Sequence, residues 1–293
     1  MAGRFKRTKD ITSFQAFAAY LWSHPTQPII LGQVNVDMSR ALDYIKRYSE
    51  LHDVKVTVTH LVIAAAAQFL AKHPEINMKC QGGKFYRRED VDVFNLVHVP
   101  GGKDLSGVML RDCDRLSLAD IAQNFRSRAT EVKDQRHDTY GDGMSLFKGY
   151  PTWLTRLMLK AADFYINTMH KDLSRFGIPR DPFGSVIVTS VGMFGVEEAY
   201  GPLPTFARAP IFLCVTKVTD RPWVENGTVV ARPVMKIGVT LDHRLMDGYK
   251  GAQLANHLKQ TLSDPIRAFG LTTKVPVGDG VLNGDPMVAV SAV

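Results

Sequence analysis

A chain of 293 residues with 45% apolar residues has the material for one large core or two small ones, and its composition is that of a globular protein. The formal charge of +7 suits an anionic ligand, an acidic partner or a phosphorylated cofactor, but Lys and Arg are spread along the chain, and no zinc-finger spacing, RNP-like motif or long basic run supports a nucleic-acid partner. Three cysteines without CxxC spacing argue against a disulfide framework and a structural zinc site. The basic stretch Met1 to Arg7 lacks a following apolar region, and no apolar run is long enough to span a bilayer, so a reducing cytoplasmic location without a membrane span is expected.

In chain order, Thr12 to Ser23 reads as a short amphipathic helix, Ile29 to Val36 as a strand, and Ser39 to about Leu51 as a helix. Thr59 to Lys72 is apolar on most sides, which predicts a buried helix, stopped at His73-Pro74. Val91 to Val99 and Gly107 to Leu110 read as strands, Leu116 to Val132 as a charged amphipathic helix, and Gly141-Asp142-Gly143 as a break. Tyr150 to Met169 carries an apolar stripe through Trp153, Leu157 and Phe164 with Arg156, Lys160 and Asp163 interspersed. Such a stripe packs on its own protein, on another subunit or on a membrane surface. The last third is strand-rich: Ser185 to Ser190, Ile211 to Thr219, Trp223 to Ala231 around Asn226-Gly227, and Met235 to His243, followed by a helix. From Ser263 onward Gly, Pro, Val and Thr dominate, as in an extended tail. Helices and strands mix without strict alternation, which predicts an α/β two-layer sandwich with a mixed sheet and helices on one side.

Two segments carry candidate chemistry. In Asp242-His243-Arg244-Leu245-Met246-Asp247-Gly248, the strand period of two places His243 in the apolar row of Ile237, Val239 and Leu241. Burial there would keep the imidazole neutral and able to accept a proton, as a general base must. The plain alternatives are a core histidine bonded to backbone and an Asp247 that caps the following helix, with Gly248 easing the turn. In Val186 to Gly195, a strand ends in the hydroxyls of Thr189 and Ser190 beside Gly192 and Gly195; these could donate to a developing oxyanion or satisfy their own turn.

As a pair, the two segments resemble the catalytic domain of the dihydrolipoamide acyltransferases, the E2 cores of 2-oxoacid dehydrogenase complexes, and more distantly chloramphenicol acetyltransferase. His243-x-x-x-Asp247-Gly248 is common to the wider group, and Asp242-His243-Arg244 is the narrower form, where peptide-synthetase condensation domains would carry a second His. Pro74-Glu75-Ile76-Asn77 after the buried helix and Thr189 to Gly195 extend the similarity, patchily, over roughly residues 10 to 265. The resemblance implies a chloramphenicol acetyltransferase-like fold and acyl transfer between two thiols, with coenzyme A as a substrate and no metal. His243 would be the base and Thr189 the oxyanion donor in a position usually held by Ser, with Ser190 as fallback. Asp247 would orient the motif loop, and Arg244 would pair with Asp247 or another carboxylate. It also implies homotrimers in which His243 works opposite Thr189 of the adjacent chain.

Three departures stand out. The chain has no lipoyl or peripheral subunit-binding domain, so a lipoyl group would come in trans from a carrier or dehydrogenase-complex protein, or the acceptor would be another small thiol or hydroxyl compound. The catalytic domain, residues 1–263, holds an inserted helical segment at about 137–182. The tail, residues 264–293, differs from endings that join trimers into cages, which favours a free trimer. The competing reading is a noncatalytic scaffold that keeps the trimeric fold.

Overall fold

The computed structural model describes residues 28–81, 84–98, 105–133, 150–169, 181–204 and 206–271. The expected helix at Thr12 to Ser23 and the break at residues 141–143 lie outside the described residues.

Its order is β1 (Ile29–Asp37), α1 (Ser39–His52), α2 (Val58–Lys72), β2 (Met78–Gln81), β3 (Lys84–Arg87), β4 (Val93–His98), β5 (Leu105–Leu110) and α3 (Leu118–Lys133). There follow α4 (Thr152–Asp163) with a π turn at Phe164–Thr168, β6 (Val186–Ser190), β7 (Ile211–Val215), β8 (Thr219–Glu225), β9 (Thr228–Asp242), α5 (Gly248–Ser263) and α6 (Pro265–Phe269). Seven strands form a mixed sheet in the order β1-β9-β7-β6-β4-β5, with β8 pairing β9 beyond β7. The β4–β6 and β6–β7 pairs are parallel and the others antiparallel.

The sheet separates two apolar layers. Val186 and Val188 point into the main core, where they meet α2, α3 and α5, while Ile187 points into a smaller layer with Phe94, Phe183, Leu203 and Phe212. Helix α2 is the centre of the main core. Thr57 and His60 close a reciprocal cap at its start, and ten of its residues, including the run Leu61 to Ala67, are buried. Helix α3 starts on the same device, with Ser117 and Asp120 exchanging bonds of 3.1 Å.

The structure departs from the expected elements in three places. The Asn226-Gly227 turn joins β8 to β9 as expected, but Thr228 to Ala231 and Met235 to Asp242 are not separate strands: β9 runs unbroken through Pro233. In an antiparallel strand the N–H and C=O of one residue point to the same side. The Pro233 carbonyl accepts from Met38 N–H (2.8 Å), just past the end of β1, so its missing N–H costs no ladder bond to β8. The hairpin of β2 and β3 falls where no strand was expected. The segment assigned to the tail begins with the short helix α6, whose Pro265 is buried.

Candidate active site

Strand β9 ends at Asp242, and the chain turns at once. The Asp242 carbonyl accepts from Leu245 N–H (2.9 Å) and Met246 N–H (3.0 Å), and Leu245 and Met246, 4% and 0% exposed, anchor the turn in the core. With those two side chains inward, His243 and Arg244 face outward. His243 is therefore exposed in the single chain, and the expected burial along the Ile237 row is corrected: the row stops at Leu241 because the strand stops one residue later. Its backbone N–H donates to the Pro28 carbonyl (2.7 Å), which extends the β1–β9 ladder by one step.

The ring has a defined tautomer all the same. Nδ1 lies 3.0 Å from the Met246 carbonyl oxygen, which can only accept, so in the neutral ring Nδ1 carries the proton. Nε2 is left with its lone pair directed outward, the form a base uses.

Arg244 pairs with Asp242, not with Asp247. Its Nε reaches Oδ1 at 2.9 Å and Oδ2 at 3.2 Å, Nη2 reaches Oδ2 at 2.5 Å, and its backbone N–H donates to Oδ1 at 3.0 Å. The Asp242 side chain is 8% exposed and needs such a partner. The pair clamps the residues on either side of His243, and this bond, with burial opposing it, raises the Arg244 pKa. Asp247 is the N-cap of α5, its Oδ1 accepting from Lys250 N–H (2.9 Å). That fixes where the helix starts and hence the turn ahead of it. The buried stripe of α5 is Leu254, Leu258, Thr261 and Leu262. Gly248 has no positive φ, and a Cβ there would meet nothing within 4 Å, so the turn does not require glycine at this position.

Thr189 and Ser190, both half-buried, end β6. Thr189 alternates with Ile187 and faces the smaller layer; Ser190 faces the other side. The turn beyond needs both its glycines. A Cβ on Gly192 would lie 2.7 Å from the Thr216 carbonyl oxygen and 2.8 Å from Lys217 N, and Gly195 has φ +80°. One residue near this end escaped the sequence reading. His98, two residues beyond Leu96, which pairs with Thr189, faces the same layer and packs on Phe194 with ring centroids 5.3 Å apart. A lone His at a strand end gives little signal in sequence.

The two candidate groups do not meet within one chain. Thr189 is level with Cys214 on β7 and Gly238 on β9, and His243 lies five residues farther along β9. At about 3.3 Å per residue and about 4.8 Å per strand, the separation is roughly 19 Å. Among the described residues no His, Cys, Asp and Glu cluster could hold a metal ion, and no helix is long and apolar enough to cross a membrane.

Residues 14–141 and 183–270 match the family model of the 2-oxoacid dehydrogenases acyltransferase (catalytic domain). Among curated proteins the chain is 27% identical over 236 residues to the dihydrolipoyllysine-residue succinyltransferase component of the 2-oxoglutarate dehydrogenase complex of Haemophilus influenzae, covering 79% of this chain and 47% of that protein. The corresponding component of Cupriavidus necator is 27% identical over 251 residues, covering 84% of this chain and 50% of that one. The chain thus spans about half the length of these relatives. Among solved structures, a dihydrolipoamide acetyltransferase of Azotobacter vinelandii superimposes with TM-score 0.64 at 18% identity, covering 91% of this chain and 94% of the other. A probable dihydrolipoamide acetyltransferase of Listeria monocytogenes gives 0.63 at 17%, covering 88% and 94%. These structures share the fold, and with most of its length matched by the family model the chain belongs to the 2-oxoacid dehydrogenase acyltransferase (catalytic domain) family.

Proposed function

We propose that this protein is a coenzyme A-dependent acyltransferase whose site is completed between neighbouring subunits of a homotrimer. The observation that carries the reading is the placement of His243. Its Nε2 is free to accept a proton at one end of the sheet, and the Thr189 hydroxyl sits roughly 19 Å away at the other, so each group needs a second copy of the chain to supply its counterpart.

In this reading His243 Nε2 takes the proton of the attacking thiol, of coenzyme A or of a dihydrolipoyl group, and the thiolate adds to the carbonyl carbon of the partner thioester. The new C–S bond forms as the carbonyl becomes an oxyanion, which accepts from the Thr189 hydroxyl of the adjacent subunit. Collapse breaks the original C–S bond, and His243 returns the proton to the leaving thiolate. Asp247 and the Asp242–Arg244 clamp hold the base in place and move no proton. The catalytic domain takes residues 1–263 with the inserted helical segment at about 137–182. Three buried free cysteines, Cys80, Cys113 and Cys214, favour a reducing, cytoplasmic setting.

The test is acyl exchange between short acyl-coenzyme A donors and dihydrolipoamide, comparing the purified protein with His243→Ala. A fall of roughly 10²- to 10⁴-fold in the variant is expected. Equal turnover by the variant, or none with any donor, would replace this reading with the noncatalytic scaffold.

A further inference from the structure

Residues 142–182 fall between the two segments that match the family model, and α4 lies within them. Leu159, Asp163 and Ile166 recur at helical spacing and hold α4 to the rest of the chain: Leu159 and Ile166 are 6% and 3% exposed, and Asp163 accepts from Arg208 Nη2 at 3.2 and 3.4 Å. A second anchor follows at Asp181, bound to the buried Arg88 through Nε (2.5 Å) and Nη2 (3.1 Å). At about 100° per residue, Trp153, Leu157 and Phe164 fall within roughly 40° of one another on the side away from Leu159. They are 67%, 57% and 51% exposed, and Tyr165 stands beside them.

The charges on this helix are divided in the same way. Arg156 and Lys160 border the exposed stripe, and among the described residues neither has an acidic partner. The helix's one acid, Asp163, is taken by Arg208. Asp163 stands about 20° from Arg156 around the helix and is a quarter exposed, so with its charge paired the unanswered charges bordering the apolar and aromatic stripe are the two basic ones.

We infer that α4 is a docking surface for an anionic lipid bilayer, lying in the headgroup plane with Trp153, Leu157 and Phe164 inserted and Arg156 and Lys160 against lipid phosphates. Charge complementarity selects this occupant: a neutral apolar partner leaves two cations at its border unanswered, whereas a negatively charged interface takes up both, with Trp and Tyr at the depth such rings favour. The surface carries none of the residues proposed for the chemistry, so binding there would place the enzyme at a membrane.

The test is co-sedimentation of the full-length protein with vesicles of phosphatidylcholine alone and of phosphatidylcholine with about a third phosphatidylglycerol. Arg156→Gln/Lys160→Gln and Trp153→Ala/Leu157→Ala are run alongside, with molar mass in solution recorded for each. Binding to the anionic vesicles only, lowered roughly thirtyfold by the charge pair and at least tenfold by the apolar pair at unchanged molar mass, is expected. No binding to anionic vesicles, or binding that both variants retain, overturns the inference. A drop in molar mass in the apolar variant also overturns it, since the face is then a contact between copies.

Discussion

Replacing Arg244 with Met leaves the Asp242 carboxylate buried with one remaining donor, the Arg244 backbone N–H. Breaking a fully buried ion pair costs about 3 kcal/mol or more, because the surviving charge stays desolvated. Here the guanidinium side chain is 39% exposed, so water reaches part of the space it vacates, and the expected loss falls to roughly 2 kcal/mol. Asp242→Asn should cost a similar amount, because it strips the charge that three guanidinium bonds answer. The double variant should be less destabilised than the sum of the two by about 1 kcal/mol or more, since neither partner is then left alone. Urea unfolding at one fixed protomer concentration measures all four corners of the cycle. The clamp flanks His243, so kcat in each single variant should fall about tenfold with KM little changed. Additivity within a few tenths of a kcal/mol, or single losses below about 0.5 kcal/mol, would refute the argument that this pair holds the turn together.

Three further outcomes follow from single positions. Burial holds the His60 pKa down at about 4, against an ordinary 6.5, and its Nδ1 accepts from Thr57 N–H at 3.2 Å, a bond that only the unprotonated nitrogen can make. The unfolded chain binds the proton that the folded ring refuses, so this contribution is whole above pH 6.5 and is lost as pH falls toward 4, to a total of about 3 kcal/mol. Unfolding free energies measured across that window should converge with those of His60→Gln, which keeps a capping side chain but does not titrate; a constant gap would contradict the account. Gly192→Ala should cost about 1–3 kcal/mol and lower kcat, because backbone atoms of Thr216 and Lys217 stand where its Cβ must go. Gly248→Ala should leave stability unchanged or slightly raised, since the space beside it is open in the single chain; a loss of activity in that variant would show that substrate or a neighbouring subunit uses the space.

Much of this architecture is legible in local patterning. The apolar run read from Thr59 marks α2 to within a residue of its start at Val58, its end is marked by His73-Pro74, and β1, β4, β6 and β7 are dense in β-branched and apolar residues. The hairpin of β2 and β3 is missed because each strand has only four residues, although the Gly82-Gly83 dipeptide between them is a hairpin signal. The division of β9 at Pro233 is wrong because sequence cannot say which side of a strand a proline faces; only the place where β1 ends makes its missing N–H harmless. The candidate site shows the same limit. The motif locates His243, but its exposure follows from Leu245 and Met246 being drawn into the core, and the partner of Arg244 is settled by which carboxylate is buried. Strand register, which sets Thr189 and His243 at opposite ends of one sheet, is a tertiary fact that periodicity does not contain.

The most direct test of the proposed site is complementation between two inactive variants. His243→Ala and Thr189→Ala, each expected to lose about 10² or more of the native activity alone, are unfolded together in equal amounts and reassembled. If base and oxyanion donor come from adjacent subunits of a trimer, every mixed trimer regains one intact site, and the mixture should recover about a quarter of native activity. Activity that stays at the level of the separate variants, in a mixture shown to contain mixed trimers, would contradict a site shared between subunits.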